Sequence, residues 1–178
     1  PETCLQRNPR LVYGRVTGWG QDGPLAGAPG HDLNYIALSG ALHAFGVPGE
    51  PPVPPLNLLG DFGGGGMLLA FGLVCAVLQA ARSGRGQVVD AAMVDGVNVQ
   101  MAMFHGFRAA GLFDGRTGTH VLSGAAHFYA TYETSDGKYL AVAALEPQFY
   151  QELIRRAGLD PARFGPHGLG AYPVASPE

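Results

Sequence analysis

The chain has 178 residues, enough for one domain with a real core or for two small domains. Charged residues make up 14% of the sequence, against about 25% in an average soluble domain. The formal net charge is -3 without a basic cluster, so we do not expect nucleic acid as a partner. So few charges indicate that part of the surface is covered by a partner or by further chain.

Cysteine content and hydrophobicity bear on where the protein works. Cys4 and Cys75 are too few for a disulfide framework, so we expect the reducing cytoplasm. The first residues do not resemble a signal peptide. The apolar run at residues 67–81 would form a helix of about 22 Å, shorter than a hydrocarbon core of about 30 Å. We therefore expect a buried helix and no membrane span.

The N-terminal part predicts a strand followed by a glycine-containing loop. Residues 11–17 are rich in β-branched and aromatic side chains and lie between Pro9 and Gly18, as is typical of a strand. Residues 18–23 match the pattern G-x-G-x-x-G. A pyrophosphate site needs a helix directly after this pattern, and the following residues predict a loop. We therefore reject a dinucleotide site.

Residues 31–45 predict a helix with a histidine at its start. Apolar residues recur at the helical spacing i, i+3, i+4 and i+7, and His31 and Asp32 precede them. The positive end of a helix disfavours an imidazolium, which would bias His31 toward the neutral form that accepts a proton. From this segment alone, a hydrogen-bonded structural histidine is the favoured interpretation.

A proline-rich connector at residues 46–55 leads to Gly60-Asp61-Phe62 and then to four glycines, Gly63 to Gly66. An apolar helix is expected to follow this glycine turn. Amides at the start of a helix lack intrahelical partners and carry partial positive charge, and glycines allow close approach. These amides are candidates to hold an oxyanion beside an acid–base carboxylate, Asp61. The eight residues at 59–66 alone favour the alternative, in which Asp61 is an ordinary N-cap and the glycines only pack closely.

The second half of the sequence predicts a strand, a helix, a hairpin and a further helix. Residues 87–91 predict a short strand, and a helical pattern follows it. Glu146 closes the second strand of the hairpin, and Pro147 suits the first position of the last helix. The predicted elements and domains are as follows: a helix at 93–111, a connector at 114–126, hairpin strands at 128–134 and 139–145, part of a large domain at 1–125, part of a small domain at 126–160, and an irregular tail at 161–178.

Several common catalytic motifs are missing from the sequence. It contains no Walker motif and no G-x-S-x-G hydrolase elbow, and its histidines do not pair with each other or with cysteine at metal-ligand spacing. These absences favour acid–base chemistry by carboxylate and imidazole groups, without a metal site.

Four segments in order resemble the α-methylacyl-CoA racemases of the family III CoA-transferase superfamily. They are Gly-His-Asp-Leu-Asn-Tyr at 30–35, Asn-Leu-Leu-Gly-Asp-Phe-Gly-Gly-Gly at 57–65, Gly-Gln-Val-Val-Asp-Ala-Ala-Met-Val-Asp-Gly at 86–96, and Glu-Pro-Gln-Phe-Tyr at 146–150. The resemblance covers about residues 1–160. It implies an α/β fold with part of a Rossmann-like large domain and part of a small α+β domain.

The resemblance also implies an activity and its residues. It implies an isomerase of fatty-acid and lipid metabolism that racemises 2-methylacyl-CoA thioesters, with acyl-CoA as substrate and no cofactor. His31 would pair with Glu146 on one face of the substrate carbon, and Asp61 would stand on the other. The residues expected to border the CoA thioester arm are Gly30, His31, Asp32, Leu33, Asn34 and Tyr35. The resemblance further implies that the full-length protein forms an interlocked homodimer.

Two other functions remain open at this stage. In a CoA-transferase of the same superfamily, Asp61 would be a nucleophile that forms an acyl anhydride, although the presence of both His31 and Glu146 opposes this. The family also has a Rossmann-like half before Pro1 and a helix-rich segment after Asp160. We therefore expect this sequence to be a fragment, and an inactive truncated homologue is the third hypothesis.

Overall fold

The computed structural model describes residues 1–164, which divide into two compact units. The first unit comprises Pro1–Leu42 and Val53–His105. The second comprises His43–Pro52 and the described residues from Gly106 onward. The boundaries near residues 125 and 160 stay predictions. The predicted irregular tail at 161–178 is wrong at its start, where Pro161–Phe164 form a short helix; the rest of it, from residue 165, lies outside the described residues.

The first unit is built around two parallel strands and the helices between them. Strands β1 and β2 pair in parallel, with Val12 opposite Gln87 and Thr17 opposite Ala92. Helix α3 packs on both strands, as in a β-α-β unit. No helix follows the G-x-G-x-x-G pattern until residue 32, as the sequence predicts. The elements of this unit are α1 (Glu2–Arg7), β1 (Val12–Thr17), α2 (Asp32–Leu38), a π-helix (Leu58–Met67), α3 (Leu68–Ser83), β2 (Gln87–Ala92), α4 (Met93–Gln100) and α5 (Ala102–Ala109), the last of which crosses into the second unit.

Helix α2 is shorter than the predicted helix at 31–45. It ends at Leu38, and only a 3-10 turn at Leu42–Ala44 continues the predicted segment. Gly40 has a φ of +82°, a left-handed conformation that stops a right-handed helix. The start at residue 32 agrees with the prediction, and Gly40 explains the early end.

The glycine run forms a π-helix, so the predicted turn is wrong. Leu58–Met67 is helical throughout and continues directly into α3. The π-helix packs on α4, and the backbones of these two helices come almost into contact. A Cβ at Gly96 would lie 2.0 Å from the carbonyl oxygen of Gly64. Glycine on both sides makes this contact sterically allowed, and the contact in turn holds a glycine-rich segment helical.

One face of α3 is exposed, which corrects the expectation of a buried helix. Ala76 and Ala80 are its buried residues, whereas Phe71 and Val74 are each 69% exposed. The continuous helix Leu58–Ser83 is long and apolar enough to cross a membrane by length and composition. That test alone is weak evidence, and the π-helical part of this helix is buried through Gly60, which contacts Asp32, and Gly64, which contacts α4. Strand β2 is covered by the opposite face of α3.

The second unit contains a hairpin packed against a helix, as the sequence predicts. Strands β3 (Tyr129–Glu133) and β4 (Tyr139–Ala143) are antiparallel, with Tyr129 opposite Ala143. Helix α6 (Pro147–Ala157) follows, and a short helix α7 (Pro161–Phe164) ends the described residues. The core consists of Ala126, Phe128, Ala144, Tyr150 and Ile154.

Replacing Phe128 by alanine is expected to destabilise this unit strongly. The side chain is 0% exposed and meets the Tyr150 ring edge-on, with centroids 5.4 Å apart. Its removal leaves a cavity that should lower the free energy of unfolding by about 3–5 kcal/mol. Phe149 is 56% exposed, so Phe149→Ala is the matched control and should cost about 0.5 kcal/mol or less. Urea unfolding of both variants measures the difference; equal midpoints would contradict this core.

Candidate functional site

Asp61 lies in the first turn of the π-helix, where its carboxylate is half-buried. The side-chain amide of Asn57 donates to Asp61 Oδ2 at 3.3 Å. Asn57 stands four residues before Asp61, a spacing that brings side chains together on a helix. The carboxylate is thus oriented by a neutral donor and keeps access to solvent.

The amides of Gly63 to Gly66 are not free donors, contrary to the prediction. In a π-helix each N–H donates to the carbonyl five residues earlier, as the Phe62 N–H does to the Asn57 carbonyl at 3.4 Å. The free helix start lies instead at Leu58, before the glycines. The predicted N-cap role of Asp61 is wrong for the same reason.

His31 immediately precedes α2, as the sequence predicts, and the structure shows that it is exposed. Its backbone N–H donates to Asn34 Oδ1 at 3.0 Å. The Asn34 side chain therefore folds back on the helix start and fixes the entry of the chain. The imidazole is left accessible to a ligand at this end of α2.

Asp32, the next residue, connects α2 to the π-helix. Its side chain is only 5% exposed. Oδ2 accepts hydrogen bonds from the N–H groups of Gly60 and Asp61, at 2.6 Å and 2.7 Å. These are charge-assisted lengths. Two segments far apart in sequence, one carrying His31 and one carrying Asp61, are joined through this carboxylate.

Tyr35 completes the buried side of this region. It is 5% exposed and packs edge-on against Trp19, with ring centroids 4.7 Å apart. Burial raises the pKa of the Tyr35 phenol, and the negative charges of Asp61 and Asp32 raise that pKa further. The phenol therefore stays protonated at neutral pH beside two carboxylates.

The segment predicted to border the CoA thioester arm divides into two sets. Asp32 and Tyr35 are buried, so they form the support of the segment. The side chains on its accessible side are His31, Leu33 and Asn34. Contact of this segment with acyl-CoA stays a prediction.

Glu146 lies in the second unit, as the N-cap residue of α6. Its side chain is exposed, and its carbonyl accepts the N–H of Tyr150 at 2.9 Å. Pro147 begins the helix, as predicted. The pairing of Glu146 with His31 stays a prediction.

Sequence reasoning missed the residues that fix the π-helix from outside. Gln100 Nε2, on α4, donates to the Leu59 carbonyl at 3.0 Å. No local pattern points to a contact across 41 positions of the sequence. Asn57 was detectable, because it lies within the Asn-Leu-Leu-Gly-Asp motif. Within residues 1–164, no three His, Cys, Asp or Glu side chains cluster as a metal site requires.

A family model described as CoA-transferase family III matches residues 1–166 of the chain. The chain belongs to this family. It is 49% identical to the alpha-methylacyl-CoA racemase of Mus musculus over 160 residues, which are 90% of this chain and 42% of that protein. It is 46% identical to the alpha-methylacyl-CoA racemase of Homo sapiens over 159 residues, again 42% of that protein and 89% of this chain.

The family III fold is also found by structure. The crystal structure of a CAIB/BAIF family protein from Brucella suis matches with a TM-score of 0.70 at 26% sequence identity, over 89% of this chain and 41% of that one. This match confirms the predicted mixed α/β fold of family III. The chain spans about two-fifths of the length of these relatives.

Proposed function

We propose that this family III chain carries the proton-transfer residues of a racemase that inverts C2 of 2-methylacyl-CoA thioesters. The observation that carries the proposal is the link through Asp32, which joins the segment bearing His31 to the backbone of Asp61. The similarity to alpha-methylacyl-CoA racemases of two mammals supports the same reaction.

The chemistry requires two opposed groups. The C2 proton of a thioester is weakly acidic, so one group must remove it from one face, which gives an enolate. A second group must return a proton to the other face if the configuration is to invert. His31, assisted by Glu146, is assigned to one face and Asp61 to the other. Each group acts as base in one direction and as acid in the reverse.

The low content of charged residues and the exposed apolar face of α3 support a larger assembly. Exposed apolar residues such as Phe71, Val74 and Val77 are of the kind that further chain or a second subunit covers. We propose that the complete protein forms a homodimer. Size-exclusion chromatography tests whether the chain associates with a second copy of itself, and, after mixing, whether it associates with a full-length racemase of the family.

The reaction is tested by incubating the chain with each enantiomer of a 2-methylacyl-CoA in D₂O. A racemase incorporates deuterium at C2 and produces the opposite enantiomer, and it needs no acceptor acid. Mass spectrometry measures the deuterium, and chiral chromatography of the released acid measures the inversion. Deuterium-free, unchanged substrate would contradict the proposal for this chain.

The second candidate, a CoA-transferase, gives a different result in the same assay. The family's own description supports it. A transferase moves CoA only when a carboxylate co-substrate is added, through an anhydride at Asp61 that hydroxylamine traps. Trapped Asp61 hydroxamate without C2 exchange would favour the transferase. A chain that shows neither reaction but binds its relative would be the inactive homologue.

A further inference from the structure

The start of the π-helix is capped by a residue from another segment. The first N–H groups of any helix lack intrahelical partners and need outside acceptors. Here two of them, on Gly60 and Asp61, donate to the same oxygen of Asp32. Asp32 is 28 positions earlier than Gly60 in the sequence. Its carboxylate therefore caps a different helix from the one in which Asp32 lies, and it connects α2 to the π-helix.

The surroundings of Asp32 are shaped for this contact. A Cβ at Gly60 would lie 2.7 Å from Asp32 Oδ2 and 2.9 Å from its carboxyl carbon, so no larger residue fits there. The other carboxylate oxygen, Oδ1, is buried without a hydrogen-bond partner among residues 1–164. The two amides are therefore the polar groups of the described structure that hold this carboxylate.

We propose that Asp32 is a positioning residue, whose carboxylate fixes Asp61 at a set distance from His31. The inference rests on the proposed function. Asp32 is bonded covalently to His31 and by hydrogen bond to the backbone of Asp61, so one side chain controls the spacing of both proton-transferring groups. Its burial keeps it from the substrate, and it acts only through its neighbours.

Spacing matters because proton transfer tolerates little displacement. A misplacement of about 1 Å can cost on the order of 10²-fold in rate. Each of the two groups must reach the same carbon from opposite faces. A shift of the π-helix relative to α2 would separate them while leaving both side chains intact.

Three variants test the contact. Asp32→Ala removes the acceptor, Gly60→Ala displaces it without a change of charge, and Asp32→Asn keeps an amide oxygen that can still accept. The matched controls are Asp22→Asn and Gly27→Ala. Asp22 is in an exposed loop, and a Cβ at Gly27 would meet no atom within 4 Å.

Two measurements are made on every variant. Amide hydrogen exchange by NMR follows the N–H groups of Gly60 and Asp61, with those of α3 as internal reference. Deuterium incorporation at C2 of the 2-methylacyl-CoA gives kcat and KM. The first readout needs no catalytic activity, so it separates this inference from the proposed function.

We expect Asp32→Ala and Gly60→Ala to speed exchange of the two amides by about tenfold or more. The amides of α3 should stay protected. The value of kcat should fall on the order of 10²-fold, with KM within a few-fold of the wild type. Asp32→Asn should restore most of the lost kcat, and both controls should match the wild type.

Several results would overturn the inference. Unchanged amide exchange in Asp32→Ala would show that the contact is not made, and faster exchange with unchanged kcat would show that it does not position Asp61. Loss of α3 protection in both Asp32 variants would make Asp32 a general stabilising residue instead. If the wild-type chain shows no C2 exchange, the proposed function and the catalytic part of this inference are both wrong. The amide exchange data would still show whether Asp32 makes the contact.

Discussion

Replacing Asp61 by asparagine is expected to slow inversion at C2 by orders of magnitude while leaving proton exchange on one face. The amide can neither remove nor return a proton, so the rate of inversion should fall by about 10²–10⁴-fold. The opposite face keeps His31. One enantiomer should therefore still exchange its C2 proton for deuterium with retention of configuration, because that proton faces the remaining base.

Deuterium incorporation and inversion at C2 are measured with each enantiomer of 2-methylacyl-CoA in D₂O, by the same assay as for the wild type. Asparagine has nearly the same size and can keep the contact with Asn57, so KM should change little. Asp22→Asn carries the same chemical change in an exposed loop and should invert at the wild-type rate. Inversion by Asp61→Asn at the wild-type rate would remove Asp61 from the mechanism.

Replacing Gly96 by alanine is expected to unfold or severely destabilise the first unit. The new Cβ would lie 2.0 Å from the carbonyl oxygen of Gly64 and 2.5 Å from its Cα. Both atoms belong to backbone, so no side-chain rotation relieves the overlap. The π-helix and α4 must move apart, at a cost of about 3 kcal/mol or more in the free energy of unfolding.

The control for this prediction is the same substitution where space is open. Gly106 lies in helix α5, and a Cβ there would meet no atom within 4 Å. Gly106→Ala should raise the free energy of unfolding by up to about 1 kcal/mol, because alanine favours helix. Urea unfolding followed by circular dichroism measures both. A Gly96→Ala protein within about 1 kcal/mol of the wild type would contradict the close contact.

Local signals in the sequence were enough for much of the fold. The hairpin around β3 and β4, the start of α6 at Pro147 and the positions of strands β1 and β2 follow from β-branched residues, turn residues and caps, although the parallel pairing of β1 with β2 comes from the structure. In each case the neighbouring residues in the chain determine the element. The sequence also predicted that His31 and Asp61 lie at helix starts. In the structure His31 directly precedes α2, and Asp61 lies in the first turn of the π-helix.

What failed were features set by distant contacts. Four glycines predict a turn, because glycine has the highest entropic cost in a helix. Here the close contact with Gly96 and the cap from Asp32 override that preference. The exposure of α3 was missed because an apolar helix predicts burial, whereas Phe71 on this helix is 69% exposed in the structure of residues 1–164.

The π-helix has a consequence for insertions and deletions. Each residue turns a helix by a large angle, about 100° in a regular α-helix and somewhat less in a π-helix, so removing one residue between Asp61 and α3 would rotate the carboxylate to another side of the axis. The amide of Asn57 would rotate with it, but Asp32 would not. A single substitution in the glycine run changes local contacts, whereas a change in its length would change the direction in which the carboxylate points. We therefore expect insertions and deletions in this segment to be tolerated less well than substitutions.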